Sequence, residues 1–325
     1  MHQIRRILVA VKDTAAKSQP AVVKAVQLAR ACDAKLELFH ALDTTLYVDA
    51  YLDQSLTNVE RNLRARSLQR LEAMAHQMRR QGVRVTATAE WDFPAYEAVV
   101  RRAQRSKADL IVADNHRRHH RLPRLLHLAD WELLRLSPTP VLLVKTARPY
   151  RHPAVLAAVD PSHAFAKPAK LDDEILRVGT TVTHALRGTL HAVHAYTSFP
   201  PTSLRNAVHD RAANVDVAQR SAARATALAQ ADFKRVLRKA KISRTRQYLT
   251  TRFPTDAIEH VARKTHSAIV VMGALSRSGL KSLFIGNTAE SLLDRLNCDI
   301  LVVKPATFVN RVPRGRRGPR LAVLG

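Results

Sequence analysis

The run Ile269-Val-Val-Met-Gly-Ala-Leu-Ser-Arg-Ser-Gly-Leu-Lys-Ser-Leu-Phe-Ile-Gly-Asn-Thr-Ala-Glu290 joins an apolar strand, a loop with spaced glycines and the start of a helix. Gly273, Gly279 and Gly286 are three of only nine glycines in the chain. Glycine lets the backbone approach a ligand closely and accept positive φ, and the free N–H groups of a helix start attract phosphate. The run therefore indicates a phosphate site. Its spacing is neither the Walker pattern nor Gly-x-Gly-x-x-Gly, and an ordinary strand-to-helix connection is the alternative.

The apolar runs of the chain occur twice in the same order. The matched pairs are 7–11 with 155–159, 36–41 with 190–195, 93–94 with 253–254, 110–113 with 269–272, and 141–145 with 300–304. The last three pairs keep an offset of 159 or 160 residues. Helical patterns separate these runs, at 20–32 and at 53–80 among others. Strands that alternate with helices predict parallel sheets with right-handed crossovers, so we expect two α/β domains joined near 147–153.

The bulk composition fits such a pair of domains. At 325 residues with 46% hydrophobic residues, the chain is long enough for two cores. Cys32 and Cys298 lie far apart and suggest neither a disulfide framework nor a metal pair, as expected of a cytoplasmic protein. The apolar run at 7–11 is too short for a signal peptide, and no window approaches the roughly 18 apolar residues of a membrane span.

The formal net charge of +26 allows two interpretations. A strongly positive protein can bind nucleic acid weakly and without sequence preference, through the phosphates. However, Arg and Lys are spread over the whole chain among acidic residues, which is also typical of a general compositional bias. The stretch 306–325 is rich in Arg, Gly and Pro, and we expect it to be a disordered basic tail.

Several strings resemble the universal stress protein family. They are Ala129-Asp-Trp-Glu-Leu-Leu134, Ser137-Pro-Thr-Pro140, Leu283-Phe-Ile-Gly-Asn-Thr-Ala-Glu290 and Cys298-Asp-Ile-Leu-Val-Val-Lys-Pro305. The glycine run also resembles that family's Gly-x-x-Gly-x9-Gly-Ser/Thr nucleotide loop. The resemblance implies an α/β fold of two tandem Rossmann-like domains, each a five-stranded parallel sheet of order 3-2-1-4-5 flanked by helices. We expect the domains at 1–148 and 149–306, followed by the tail at 307–325.

The resemblance also implies an adenine-nucleotide site for ATP in the second domain. The family's contacts fall on Asp160, Ala195, Met272, Gly273, Ser276, Gly286, Asn287 and Thr288. Asp160 would bind the ribose or orient a metal ion, Ala195 and Met272 would contact the adenine, and 286–288 would hold the phosphates. Ser276 replaces the family's second glycine and Asn287 its usual Ser or Thr, so the residues leave open whether the loop still binds nucleotide.

The first half lacks this loop. Asp114 stands where the second half has Gly273, and Lys12 stands where it has Asp160, so we expect no nucleotide there. His116, His119 and His120 follow Asp114 and could be metal ligands, but the neighbouring arginines would repel a cation. A solvated basic loop is the preferred interpretation.

The resemblance implies a binding protein of the bacterial stress response, capable at most of slow ATP hydrolysis, and no catalytic constellation is evident in the residues. Two alternatives remain: a basic adaptor for nucleic acid or another anionic partner, and a carrier of an apolar ligand between the first sheet and the 53–80 helix. The resemblance further implies that the fifth strands, 141–145 and 300–304, pair with each other as an intrachain pseudo-dimer, which would protect two apolar sheet edges.

Overall fold

The computed structural model describes residues 3–48, 53–115, 127–161, 170–196, 211–274 and 287–323. The first half contains β1 (Arg6–Ala10), α1 (Pro20–Cys32), β2 (Lys35–Leu42), β3 (Thr45–Val48), α2 (Asp53–Arg79), β4 (Val85–Trp91), α3 (Ala95–Arg105), β5 (Leu110–Asp114), α4 (His127–Leu136) and β6 (Val141–Val144). The second half contains β7 (Ala154–Ala158), α5 (Leu171–Ala185), β8 (Thr189–Ala195), α6 (Arg211–Leu237), β9 (Gln247–Thr250), α7 (Pro254–Lys264), β10 (Ile269–Gly273), α8 (Asn287–Arg295) and β11 (Asp299–Val303). A further strand, β12 (Arg320–Val323), follows.

The strands are buried on both faces, as their continuous apolar runs predict. In β1, Ile7 and Val9 lie in one core layer, whereas Leu8 and Ala10 lie in the other. Helices α1, α2, α5 and α6 contribute side chains to the first layer, and α3, α4, α7 and α8 contribute to the second. The fold is therefore α/β with helices on both faces of a mainly parallel sheet.

The two halves share one sheet of ten strands, in the order β4-β2-β1-β5-β6-β11-β10-β7-β8-β9. Within each half the order matches the predicted 3-2-1-4-5 once β3 is set aside, because β3 pairs in parallel with β12 in a separate two-stranded sheet. The two fifth strands pair antiparallel, as the sequence analysis expected, with Leu142 opposite Leu301 and Val141 opposite Val302. This pairing joins the two five-stranded sheets into one.

A buried polar cluster holds the halves together beside this strand pair. The ammonium of Lys24, on α1, pairs with the carboxylate of Asp299, the first residue of β11, and both side chains are at most 1% exposed. Asp299 also accepts hydrogen bonds from Tyr150 Oη (2.6 Å), Lys145 N (2.9 Å) and Thr146 N (3.1 Å). Burial lowers the pKa of Lys24, and the charge of Asp299 opposes that shift. One carboxylate thus joins the first helix, the linker and the last strand of the shared sheet.

Two equivalent lysines follow the fifth strands and have different surroundings. Lys145, after β6, donates to the carbonyls of Leu293 and Leu296 at the end of α8. Lys304, after β11, is buried, and its Nζ has no hydrogen-bond acceptor among the described residues. Its ammonium lies 4.8 Å from the centre of the Phe308 ring. Burial, with a smaller contribution from the charge of Arg135, lowers the pKa of Lys304 to about 7.

The expectation of a disordered tail does not hold for residues 307–323, which pack against the first half. Arg317 donates its backbone N–H to Asp92 (3.0 Å) and its side chain to Glu97 (3.2 Å). The guanidinium of Arg320 lies 5.0 Å from the centre of the Phe93 ring, and β12 then pairs with β3. The composition of the tail alone suggested disorder, whereas the acidic groups that order it lie more than two hundred positions earlier in the chain.

Within the described ranges, no helix is both long enough and apolar enough to cross a bilayer.

We expect Asp299→Ala to destabilise the protein by about 3–5 kcal/mol, because it leaves the Lys24 ammonium buried without its counter-charge. Urea unfolding followed by circular dichroism measures the change. Asp256→Ala is the control, since Asp256 pairs with Arg295 where both side chains are over 40% exposed, and such pairs contribute about 0–1 kcal/mol. Equal losses of stability in the two variants would contradict the role given to Asp299.

Lys304 predicts a pH dependence of stability. Its pKa is about 7 in the folded protein, against an ordinary value of 10.5, so between these values the unfolded chain binds more protons. The free energy of unfolding should therefore rise with pH over that interval. Lys304→Met should raise stability at pH 7 and flatten this rise. Lys145→Met, which removes two hydrogen bonds to α8, should instead lower stability. Equal changes of stability in the two variants would contradict the different roles given to Lys145 and Lys304.

Candidate functional site

The carboxyl ends of β7 and β10 form the edge at which the sequence analysis expected a ligand. These strands are neighbours, with Met272 opposite Ala158, so Asp160 and Gly273 emerge at the same edge of the sheet. β8 lies on the other side of β7 and ends at Ala195. The chain order reverses between β7 and β10, and α/β sheets bind ligands in the crevice at such a point.

Asp160 is the half-buried acid of this edge, with its side chain 27% exposed. Its backbone N–H donates to Asp172 Oδ1 (3.0 Å), near the start of α5. Asp160 Oδ1 lies 3.9 Å from Nδ1 of His194, whose side chain is fully buried. The same nitrogen of His194 lies 3.2 Å from the carbonyl oxygen of Val159. The strand backbone, Asp172 and His194 thus surround a carboxylate that remains accessible to a ligand hydroxyl.

Met272 and Ala195 contribute differently from the sequence expectation. Met272 is 4% exposed as a whole residue, its side chain belongs to the core layer formed with α7 and α8, and its backbone lies between β7 and β11. Ala195 is half-buried and packs against the same layer. An adenine at this edge would therefore meet the strand ends rather than the Met272 thioether.

Gly273 has a steric role in the structure. A Cβ added at this position would lie 2.6 Å from Cδ2 of Leu171, which is 1% exposed at the start of α5. The φ angle of Gly273 is not positive, in contrast to those of Gly82 and Gly318. Glycine is required here because Leu171 packs directly against the end of β10, and not because of backbone conformation.

The remaining predicted contacts are only partly described. Ser276 and Gly286 lie outside the described residues. Asn287 and Thr288 are the first two residues of α8, as the helix start in the sequence predicted.

The corresponding edge of the first half is occupied by its own side chains. The Lys12 ammonium donates to the Asp114 carbonyl (2.7 Å) and pairs with Asp130 of α4. Asp114 Oδ1 accepts the N–H of Ala21 at the start of α1 (2.9 Å). Burial lowers the pKa of Lys12 and raises that of Asp114, each opposed by the other's charge. Where the second half has an acid and a glycine, the first half has an internal ion pair.

Among the described residues, neither the metal ion nor the apolar ligand considered for the first half has a defined site. His116, His119 and His120 lie outside the described residues, and no group of three metal-ligating side chains occurs elsewhere in the described ranges. For an apolar ligand beneath α2, Leu71, Ala75 and Met78 already fill that layer. A groove of about 560 Å³ opens at the far end of the layer, between Arg6, Leu36, Arg79 and Val85.

Comparison with known proteins agrees with the repeated fold. The sequence profile of the universal stress protein family matches residues 3–145 and again residues 155–304. The chain belongs to the universal stress protein family. It contains two such domains in tandem, separated by a linker that carries Tyr150 of the buried cluster.

Individual relatives match this chain over most of their length. Universal stress protein E of Escherichia coli K12 is 29% identical over 233 residues, which are 70% of this chain and 70% of that protein. Universal stress protein E of Photorhabdus laumondii is 23% identical over 304 residues, 93% and 95% of the two chains. The crystal structure of a putative universal stress protein from Pseudomonas aeruginosa UCBPP-PA14 superposes with a TM-score of 0.67 and 25% identity, covering 93% of this chain and 94% of that one.

In this universal stress protein, the sequence analysis missed three residues at the carboxyl edge of β7 and β10: Leu171, Asp172 and His194. Asp172 and Leu171 begin α5, so their place beside Asp160 and Gly273 depends on how the chain returns to the sheet. His194 alternates with apolar residues in β8 and shows no motif. Only the position of β8 beside β7 could have indicated that His194 lies under Asp160.

We expect Gly273→Ala to destabilise the protein by about 1–3 kcal/mol, since the new methyl group overlaps Leu171. The double variant Gly273→Ala/Leu171→Ala should be more stable than the sum of the two single changes predicts, because the smaller side chain admits the methyl group. Thermal unfolding of the four proteins completes the cycle. If the two single effects on stability simply add, contact with Leu171 is not the reason that position 273 requires glycine.

Proposed function

We propose that this universal stress protein binds one adenine nucleotide in its second domain and acts in the bacterial stress response as a binding protein rather than as an enzyme. The observation that supports this is the difference between the two equivalent edges. In the first domain, Lys12 pairs with Asp130 and the Asp114 carboxylate occupies the start of α1. In the second domain, the same position combines the partly exposed Asp160 with Gly273.

The proposed contacts follow the residues in order from the ribose to the phosphates. Asp160 accepts a ribose hydroxyl, and the backbone ends at Ala195, Met272 and Gly273 border the adenine. Ser276 is a further contact, and Gly286 to Thr288 hold the phosphates. Asn287 and Thr288 open α8, and free N–H groups at a helix start favour phosphate. ATP is the ligand of this proposal. The proposed domain bounds are 1–148 and 149–306, with ATP in the second domain and 307–325 as an extension on the first domain.

We also propose that the chain is a pseudo-dimer, in which the antiparallel β6–β11 pair replaces contact between two subunits. The pairing covers both apolar fifth strands, which removes the exposed edges that would otherwise invite association. A single chain that carries one nucleotide is therefore the expected complex.

Native mass spectrometry and calorimetric titration with ATP test both proposals. We expect one ATP per single chain, and Asp160→Ala should weaken binding by about 1.5–3 kcal/mol, as for a hydrogen bond to a charged group. Gly286→Val should abolish binding, because a branched side chain would then block the approach of the phosphates.

Asp13→Ala is the matched control, since Asp13 is an exposed acid at the equivalent edge of the first domain and should not affect affinity. No heat at millimolar ATP would contradict the nucleotide proposal, and a chain that is dimeric at every concentration tested would contradict the pseudo-dimer.

A further inference from the structure

A group of unpaired basic side chains lies at the edge of the second domain opposite to the nucleotide edge. We call it the basic edge, and its members are Arg187, Arg238, Lys239, Lys241, Arg244 and Arg246, all exposed. Arg187 immediately precedes Gly188 and β8, and 238–246 connect α6 to β9. Because β8 and β9 pair in parallel, with Ala192 opposite Gln247, their amino ends bring the two segments together.

Within the part of the chain that the structure describes, no carboxylate forms an ion pair with any of the six side chains of the basic edge. The neighbouring acid Asp232 pairs with Arg235 instead. At the equivalent edge of the first domain, Arg84 pairs with Asp33, and Asp109 accepts the backbone N–H groups of Arg5 and Arg6. Two carboxylates thus lie among the basic residues of the first domain's edge.

Two further observations describe the basic edge, one electrostatic and one of backbone conformation. Burial lowers the pKa of His191, and the charge of Arg246 lowers it further. Arg187 and Lys241 have φ angles of 52° and 51°, in the left-handed region that follows a helix. Glycine would adopt that conformation at less cost, by about 1–2 kcal/mol. Two positions that favour glycine therefore carry cationic side chains directed to solvent.

We propose that the basic edge binds nucleic acid through its phosphate backbone, without sequence preference. Clustered Arg and Lys with no internal counter-charges are the arrangement that phosphate contacts require. An anionic membrane would suit the same charges, but surface helices that insert also present large apolar side chains. None of the exposed large apolar residues lies in 234–246 or next to Arg187.

The basic edge is independent of the proposed nucleotide site. The two lie at opposite ends of the same strands, and Thr189 and Ala195 at the ends of β8 are about 20 Å apart at the usual rise of a strand. A change at one end should therefore leave binding at the other unaltered, so the two proposals can fail separately.

The test is fluorescence anisotropy of a labelled mixed-sequence DNA duplex, and of its separated strands, titrated with the full chain over a range of salt. The triple variant Arg238→Gln/Lys241→Gln/Arg244→Gln should weaken binding and reduce the slope of log affinity against log salt by about three, one for each lost phosphate contact. Arg187→Gln/Arg246→Gln, which combines the residue before β8 with the last residue before β9, should reduce the slope by about two. Scrambling the duplex sequence should change nothing.

The matched control is Arg61→Gln/Arg66→Gln/Arg70→Gln, which removes the same charge from the exposed face of α2 and should leave the slope unchanged. An equal effect in the control and the basic-edge variant would show that net charge, and not this edge, determines binding. Binding to phosphatidylglycerol vesicles without binding to the duplex would overturn the proposal in favour of a membrane. Asp160→Ala should bind the duplex as the wild type does, and a loss there would contradict the separation of the two sites.

Discussion

The antiparallel pairing of β6 with β11 is the constraint on which the rest of the molecule depends. Each half alone would leave an apolar fifth strand with unpaired backbone groups, and their mutual pairing satisfies both. Because the pair is antiparallel, the carboxyl edge of the second domain lies beside the amino edge of the first. Asp299 starts β11 at the other end of the pair, where the amino edge of the second domain lies beside the carboxyl edge of the first. Its bonds to Lys24, Tyr150 and Thr146 fix the linker against both domains.

The two domains show how one fold can keep or lose a ligand edge. Replacing an acid by Lys12 and a glycine by Asp114 does not leave a hole in the first domain, since the new charges find partners in Asp130 and in the start of α1. The other end of the strands differs in the opposite sense: Arg84 of the first domain pairs with Asp33, whereas the six basic-edge side chains of the second have no carboxylate partner among the described residues. The two domains therefore differ in charge pairing at both edges, although the strand order is the same.

Much of this architecture could be predicted because it depends on local pattern. The runs at 7–11 and 155–159 read as buried strands, and the repeat of strand and helix gave the topology of each half. Long-range charge matching could not be read in this way. Arg317 appeared as part of a solvated tail because Asp92 and Glu97 lie far away in sequence. Gly273 suggested a ligand loop, but its contact with Leu171 depends on the return path of α5, which no local pattern specifies.

The shared sheet also affects how the protein is made. Domains form in order as a chain is synthesised, so β6 is complete while the whole second domain is still to be added. Throughout that interval β6 has an open apolar edge, and Lys24 lacks its counter-charge, because Asp299 has not yet been made. An open edge of this kind pairs readily with other chains. The nascent first domain is thus the stage at which this protein depends most on protection from aggregation, and completion of β11 ends that dependence.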